Sequence, residues 1–189
     1  MMTTETILSI FLGIGLSASV GFRVFVPLFA LSLAAYFNVW ELNDSWQWIG
    51  SLTAVITLGV ATVVEIVAYY IPYIDNALDS IAIPLAAIAG TAVMVSTVAE
   101  LSPVITWALA IIAGGGTAAA VAGSSGATRL ASTATTGGVA NPIVSTIETG
   151  TSVVMSVLAI FIPVIAFVFV IIIFYLIYRL YKKIRPSQP

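Results

Sequence analysis

The sequence predicts an all-α fold: a polytopic helical bundle in a membrane, with broken or re-entrant helices. Three observations predict it. Of the 189 residues, 60% are hydrophobic and only 7% charged, with a mean hydropathy of +1.14. A soluble domain carries about a quarter charged residues and could not cover its surface with so few. Two apolar runs, residues 7–40 and 142–178, are each too long for one upright helix. At ~1.5 Å per residue the first would reach about 50 Å, against a hydrocarbon core of ~30 Å. Each run contains a natural break, Gly21, Arg23 and Pro27 in the first and Pro163 in the second, so short paired helices or a re-entrant hairpin are expected.

The remaining elements follow in order. Ser17-Ala18-Ser19 mimics a signal-peptide cleavage site, but no Lys or Arg precedes it and the apolar run continues past it, which argues against a signal peptide. Residues 39–47 form a polar loop with Trp40, Glu41, Asp44 and Trp46, followed by Trp48, an interfacial composition. A span over residues 48–71 contains Glu65 and ends at Pro72. Asn76 with Asp79 three residues on reads as a helix N-cap, so a helix is expected from about Ala77 through Pro84 to Ala99. Ser102-Pro103 starts another, to about Ala122. Residues 123–141 are small, hydroxylated and Gly-punctuated around Arg129. They are either a surface loop or an irregular segment buried in protein. Burial is expected, because the segment holds no acid and continues the small-residue stripes before it. Asn141-Pro142 starts the next helix, and Arg129 should lie close to that helix start. About six membrane segments result. The whole chain, 1–189, is one membrane domain with halves at 1–99 and 100–178 and a basic tail at 179–189.

Composition excludes several chemistries. With no Cys and no His, there is no thiolate nucleophile, disulfide, Cys- or His-ligated metal or imidazole switch in this chain. No cofactor and no metal site is expected. Net charge is −2, and four of the six basic residues, Arg179, Lys182, Lys183 and Arg185, sit at the end of the chain. No basic face remains for nucleic acid. By the positive-inside rule the C-terminus is cytoplasmic.

Four charges fall inside apolar segments: Arg23, Glu65, Arg129 and Glu148. Such residues face an interior and pair. They are either ion pairs holding helices in register or a polar site, and each arginine should lie near Glu148 or Glu65. Ser145, Glu148, Thr149, Ser152 and Ser156 share one helical face, which either bonds to another helix or walls a cavity. Gly114, Ala118, Ala122 and Gly126, and beside them Gly115, Ala119, Gly123 and Ala127, form small-xxx-small packing stripes. The triple glycine lacks the Lys-Ser/Thr of a phosphate loop. Asp75 and Asp79, one turn apart, read as a water-facing cap or as a cation-binding pair. A faint internal echo links the glycines before Arg23 with those before Arg129, and each arginine precedes a membrane acid.

These residues resemble a known family. Gly21-Phe22-Arg23-Val24-Phe25-Val26-Pro27-Leu28 is similar to a GxRxFxPL opening. Glu65 with Ile71-Pro72, Asp75 and Asp79 resembles an E…IP…D…D segment. Thr128-Arg129, Thr136-Gly137-Gly138, Asn141-Pro142, Ser145 and Glu148 resemble an R…TGG…NP…S…E segment. Together they resemble the bacterial membrane proteins grouped as domain of unknown function 4126. The resemblance implies a multispan bacterial inner-membrane protein and supplies no activity. Three positions depart from its pattern: Tyr69-Tyr70 stand for an Asp-Lys pair, Ser125 for a basic residue and Thr149 for an acid.

The leading expectation is a small transporter or channel-like protein for a solute or ion. Arg23 and Arg129 would face anions, Glu65 and Glu148 would act as counter-ions or proton carriers, and Asn141, Ser145 and Ser152 would line the path. The alternatives are an accessory membrane subunit with packing ion pairs and an intramembrane enzyme acting on lipid. Membrane lipid is the expected partner, and homo-oligomerisation is left open.

Overall fold

The structure, a computed structural model, describes residues 3–71, 74–99 and 101–184. Pro72, Glu100 and Arg185 lie outside the described residues. All regular structure among the described residues is helical: α1 Thr4–Val20, α2 Phe25–Tyr36, α3 Leu52–Ala68, α4 Ile74–Thr97, α5 Pro103–Leu109, α6 Gly116–Thr136, α7 Asn141–Phe161 and α8 Pro163–Ile184. A 3₁₀ segment at Asp44–Gly50 leads into α3 at a 64° bend. Among the described residues four helical segments are long and apolar enough to cross a membrane, or five with the bent pair counted as one span, and α1 and α2 are shorter apolar helices. The chain is a multi-pass integral membrane protein built as an all-α bundle.

α1 is the central helix. Leu12, Leu16, Ala18 and Val20 are buried against α4, α7 and α8, with α6 and α2 beside them. Small residues allow the close approach. Ser19 faces Ser152 and Ser156, Ser17 donates to the Gly90 carbonyl at 3.0 Å, and a side chain at Gly15 would meet Ala159 and Ala166. α1 therefore runs antiparallel to α7 and, through the Phe11–Phe167 stack, parallel to α8.

The first apolar run breaks where Gly21 and Arg23 stand. α1 ends at Val20 and α2 begins at Phe25, with Pro27 in its first turn. α2 then returns to the face from which α1 came. The Trp40 indole donates to Ile160 O at 2.7 Å, at the end of α7. Asn43 Nδ2 donates to Val95 O and Val98 O around the end of α4. α1 and α2 are thus a hairpin whose tip, residues 21–24, lies inside the bundle. Pro163 likewise separates α7 from α8 at Ile162, which is non-helical.

Two expected elements differ. α4 starts at Ile74, not near Ala77: Ile71 O accepts from both Ile74 N and Asp75 N, ahead of the expected start. Asn76 is therefore inside the first turn and caps nothing. Residues 123–136 are not irregular. They continue one helical segment from Pro103, through a π turn at Ala110–Gly115, to Thr136. Gly137, at φ +64°, ends it in the left-handed conformation that glycine tolerates. Apart from Arg129, the face from Ala127 to Thr136 is mostly exposed, so the small, hydroxylated composition marks a lightly packed helix end. Ser102 stands at the N-cap of α5 but makes no side-chain capping bond. The two segments of the internal echo also part: Arg23 sits in a break and Arg129 in a continuous helix.

Candidate functional site

The hairpin tip, the first turns of α7 and the second half of α6 meet around Glu148. Arg23 is 2% exposed, yet every nitrogen of its guanidinium is bonded. Nε donates to Thr149 Oγ1 at 3.0 Å, Nη1 to Phe22 O at 2.8 Å and Glu148 Oε2 at 3.1 Å, and Nη2 to Ser145 O at 3.1 Å. Arg129, also 2% exposed, reaches the same carboxylate. Its Nε lies 3.1 Å from Glu148 Oε2, and its Nη2 pairs with that oxygen and donates to Ser145 Oγ at 2.9 Å. Asp79 stands 3.7 Å from Arg129 Nε, and Ser125 donates to Glu148 Oε1. Two guanidiniums share one buried carboxylate. Both also lie over the Tyr69 ring, at 4.0 Å and 4.4 Å from its centroid, where its negative face attracts cations.

Glu65, expected as a counter-ion or proton carrier, forms no ion pair among the described residues. The N-cap of α2 is Val24, whose side chain cannot accept a hydrogen bond. Glu65 reaches across from α3 instead: Oε1 accepts from Val24 N at 2.7 Å and Oε2 from Phe25 N at 2.9 Å. A buried carboxylate from 41 residues away caps the hairpin's second helix and matches its positive end. Glu65→Ala is expected to cost about 1–2 kcal/mol, the upper range for a lost cap. The check is the midpoint of SDS unfolding followed by circular dichroism, and an unchanged midpoint would deny the capping role.

The stripe on α7 divides. Ser145, Glu148 and Thr149 serve the arginines. Ser152 and Ser156 bond to Ser19 in a buried seam, and the Ser152 hydroxyl also donates to Ser19 O at 3.2 Å. Asp75 and Asp79 also divide. Asp79 turns to Arg129, whereas Asp75 accepts from Asn76 N at 2.8 Å and from Asn141 Nδ2 at 3.4 Å. No group of three or more acids, His or Cys that could hold a metal occurs among the described residues.

Beside the cluster opens a cleft of about 330 Å³, lined by Tyr69, Tyr70, Asp75, Thr133, Asn141 and the glycine turn at 137–138, among others. Arg129 reaches Ser145 in the second turn of α7, close to the helix start as expected. Tyr69, Ser125 and Thr133 carry weight in this region that sequence reasoning did not give them. Helical spacing held the signal: Tyr69 is one turn after Glu65, and Ser125 and Thr133 flank Arg129 by one turn each way. Tyr69, Ser125 and Thr149, three positions that depart from the pattern the chain resembles, all touch the arginines or Glu148.

The family described as "Domain of unknown function (DUF4126)" matches residues 10–183. No curated protein and no solved structure matches the chain.

Proposed function

The chain belongs to the DUF4126 family, and we propose that it is a transport protein for a small solute or ion in the bacterial inner membrane. The observation that carries the reading is the arrangement of a closed, charged plug directly behind an open cleft. The tip of the α1–α2 hairpin holds Arg23 against Glu148 on one side of Tyr69's neighbourhood, and Tyr69 itself lines the cleft. Such a plug is made of side chains that can exchange partners, whereas an apolar seal has none to exchange.

Charge asymmetry supports a cytoplasmic cleft. α8 runs toward the cleft side and ends in Arg179 and Lys182, while Glu5, Glu41 and Asp44 lie at the opposite end of the bundle. A second reading, an accessory subunit held together by ion pairs, draws on the complete bonding of Arg23 and the buried Ser19–Ser152–Ser156 seam.

Cysteine accessibility separates the two in this Cys-free chain. Val139→Cys, in the exposed turn at the cleft, should react with an impermeant thiol reagent applied from the cytoplasmic side. Under transport, Ser145→Cys, fully buried, should also react from that side, more slowly, as the plug opens. Reaction at Val139→Cys with none at Ser145→Cys would favour the accessory reading.

A further inference from the structure

The cleft has a chemical bias that the plug does not explain. Around it and the adjoining cluster, the carboxylates of Glu65, Asp75, Asp79 and Glu148 stand against the guanidiniums of Arg23 and Arg129, a formal excess of negative charge. The N-termini of α2, α4 and α7 and the C-termini of α1, α3 and α6 meet in this region, so their half-charges largely cancel. Each acid but one has a cationic or backbone partner: Glu148 has both arginines, Asp79 has Arg129 at 3.7 Å, and Glu65 has two backbone amides. Asp75 is buried at 6% exposure and forms no ion pair among the described residues. An uncompensated buried charge is costly.

A second, independent group points the same way. Asn141 also lines the cleft and is 94% buried, with 6% exposure. Its Nδ2 donates to Asp75 Oδ2 and to Thr133 Oγ1. Reversing the amide would set its oxygen against the Asp75 carboxylate, so this orientation is dictated by charge. Among the described residues the amide oxygen Oδ1 is then left buried without a hydrogen-bond partner, and such an atom calls for a donor or a cation. The turn above it must be glycine: Gly137 and Gly138 have φ +64° and +88°, and no side chain stands there over Asn141.

We infer that the cleft binds a small monovalent cation, an alkali ion or a protonated amine, between the Asp75 carboxylate and Asn141 Oδ1. The inference rests on the transport reading for the cation's purpose, as substrate or coupling ion, but not for its binding.

The test is thermal unfolding of the purified full chain in detergent at constant ionic strength, with N-methyl-D-glucamine exchanged stepwise for sodium, potassium or methylammonium. A cation bound only by the folded state raises Tm saturably. At least one of the three is expected to do so, and which one distinguishes alkali ion from amine. Asp75→Asn and Asn141→Leu should each shift the half-saturating concentration at least tenfold, while Glu41→Gln, at the opposite end of the bundle, should leave it within about twofold. No saturable rise with any of the three cations would overturn the site, as would a rise indifferent to both Asp75→Asn and Asn141→Leu. If Asp75→Asn does not purify folded, Asn141→Leu decides by the same criterion. Binding without plug opening in the cysteine assay would sink transport and leave the site standing; opening without binding would do the reverse.

Discussion

Glu148→Gln is expected to destabilise the protein by about 3–5 kcal/mol, the cost of leaving a buried charge without its partner. The substitution keeps volume and much of the hydrogen bonding but removes the one negative charge that Arg23 and Arg129 share, 3.1 Å from each of Arg23 Nη1 and Arg129 Nε. For Arg23, 2% exposed, no other acid forms an ion pair among the described residues, and Arg129 keeps only Asp79 at 3.7 Å. Replacing Arg23, Arg129 and Glu148 together by Met, Met and Leu should recover most of the loss, because it removes the charges with the pairing. SDS unfolding midpoints, followed by helix content, give both values. A triple variant as unstable as Glu148→Gln alone would mean that the arginines act through their side-chain bulk and hydrogen bonds to Ser145, Thr149 and Phe22.

What could be read from sequence here was local or compositional. The breaks near Gly21–Arg23 and at Pro163 were legible because each apolar run is too long for one span and holds a Gly or Pro, residues that weaken or break a helix, and in the first a charge. Arg23, Arg129 and Glu148 stood out because any charge in an apolar run needs an interior partner. Which partner each would choose was not legible, since it depends on how α1, α6 and α7 cross. Glu65 illustrates this. Its spacing from Arg23 allowed an ion pair, but the amides it caps belong to Val24 and Phe25, whose side chains carry no capping signal. Residues 123–136 failed for a related reason. Ser, Thr and Gly there have weak helical preference, and the decision was made by continuity with the packed helix before them and by Arg129's bonds to Glu148. The segment is helical because its one buried side chain must reach α7.

The small-residue stripes make a prediction with its own internal control. Gly114→Ala and Gly90→Ala are each expected to destabilise by about 1–3 kcal/mol, the usual cost of overpacking. A Cβ at Gly90 would stand 2.6 Å from Ala118 Cβ and 2.8 Å from Gly114 O; one at Gly114 would stand 2.6 Å from both Gly90 O and Met94 Cβ. Two of those contacts are with backbone, which cannot rotate away, so α4 and the π turn at Ala110–Gly115 must separate. Gly116 and Gly126, only a few residues along, have nothing within 4 Å of such a Cβ and adopt ordinary helical backbone. There Ala should be neutral or stabilise by up to about 1 kcal/mol through helix propensity. The stripe that sequence marks as uniform, Gly114, Ala118, Ala122, Gly126, thus divides into a packed part and an open end. SDS unfolding of the four single variants tests the division. Equal losses at Gly90, Gly114, Gly116 and Gly126 would show that glycine is needed along the whole helix for its backbone rather than for the crossing with α4.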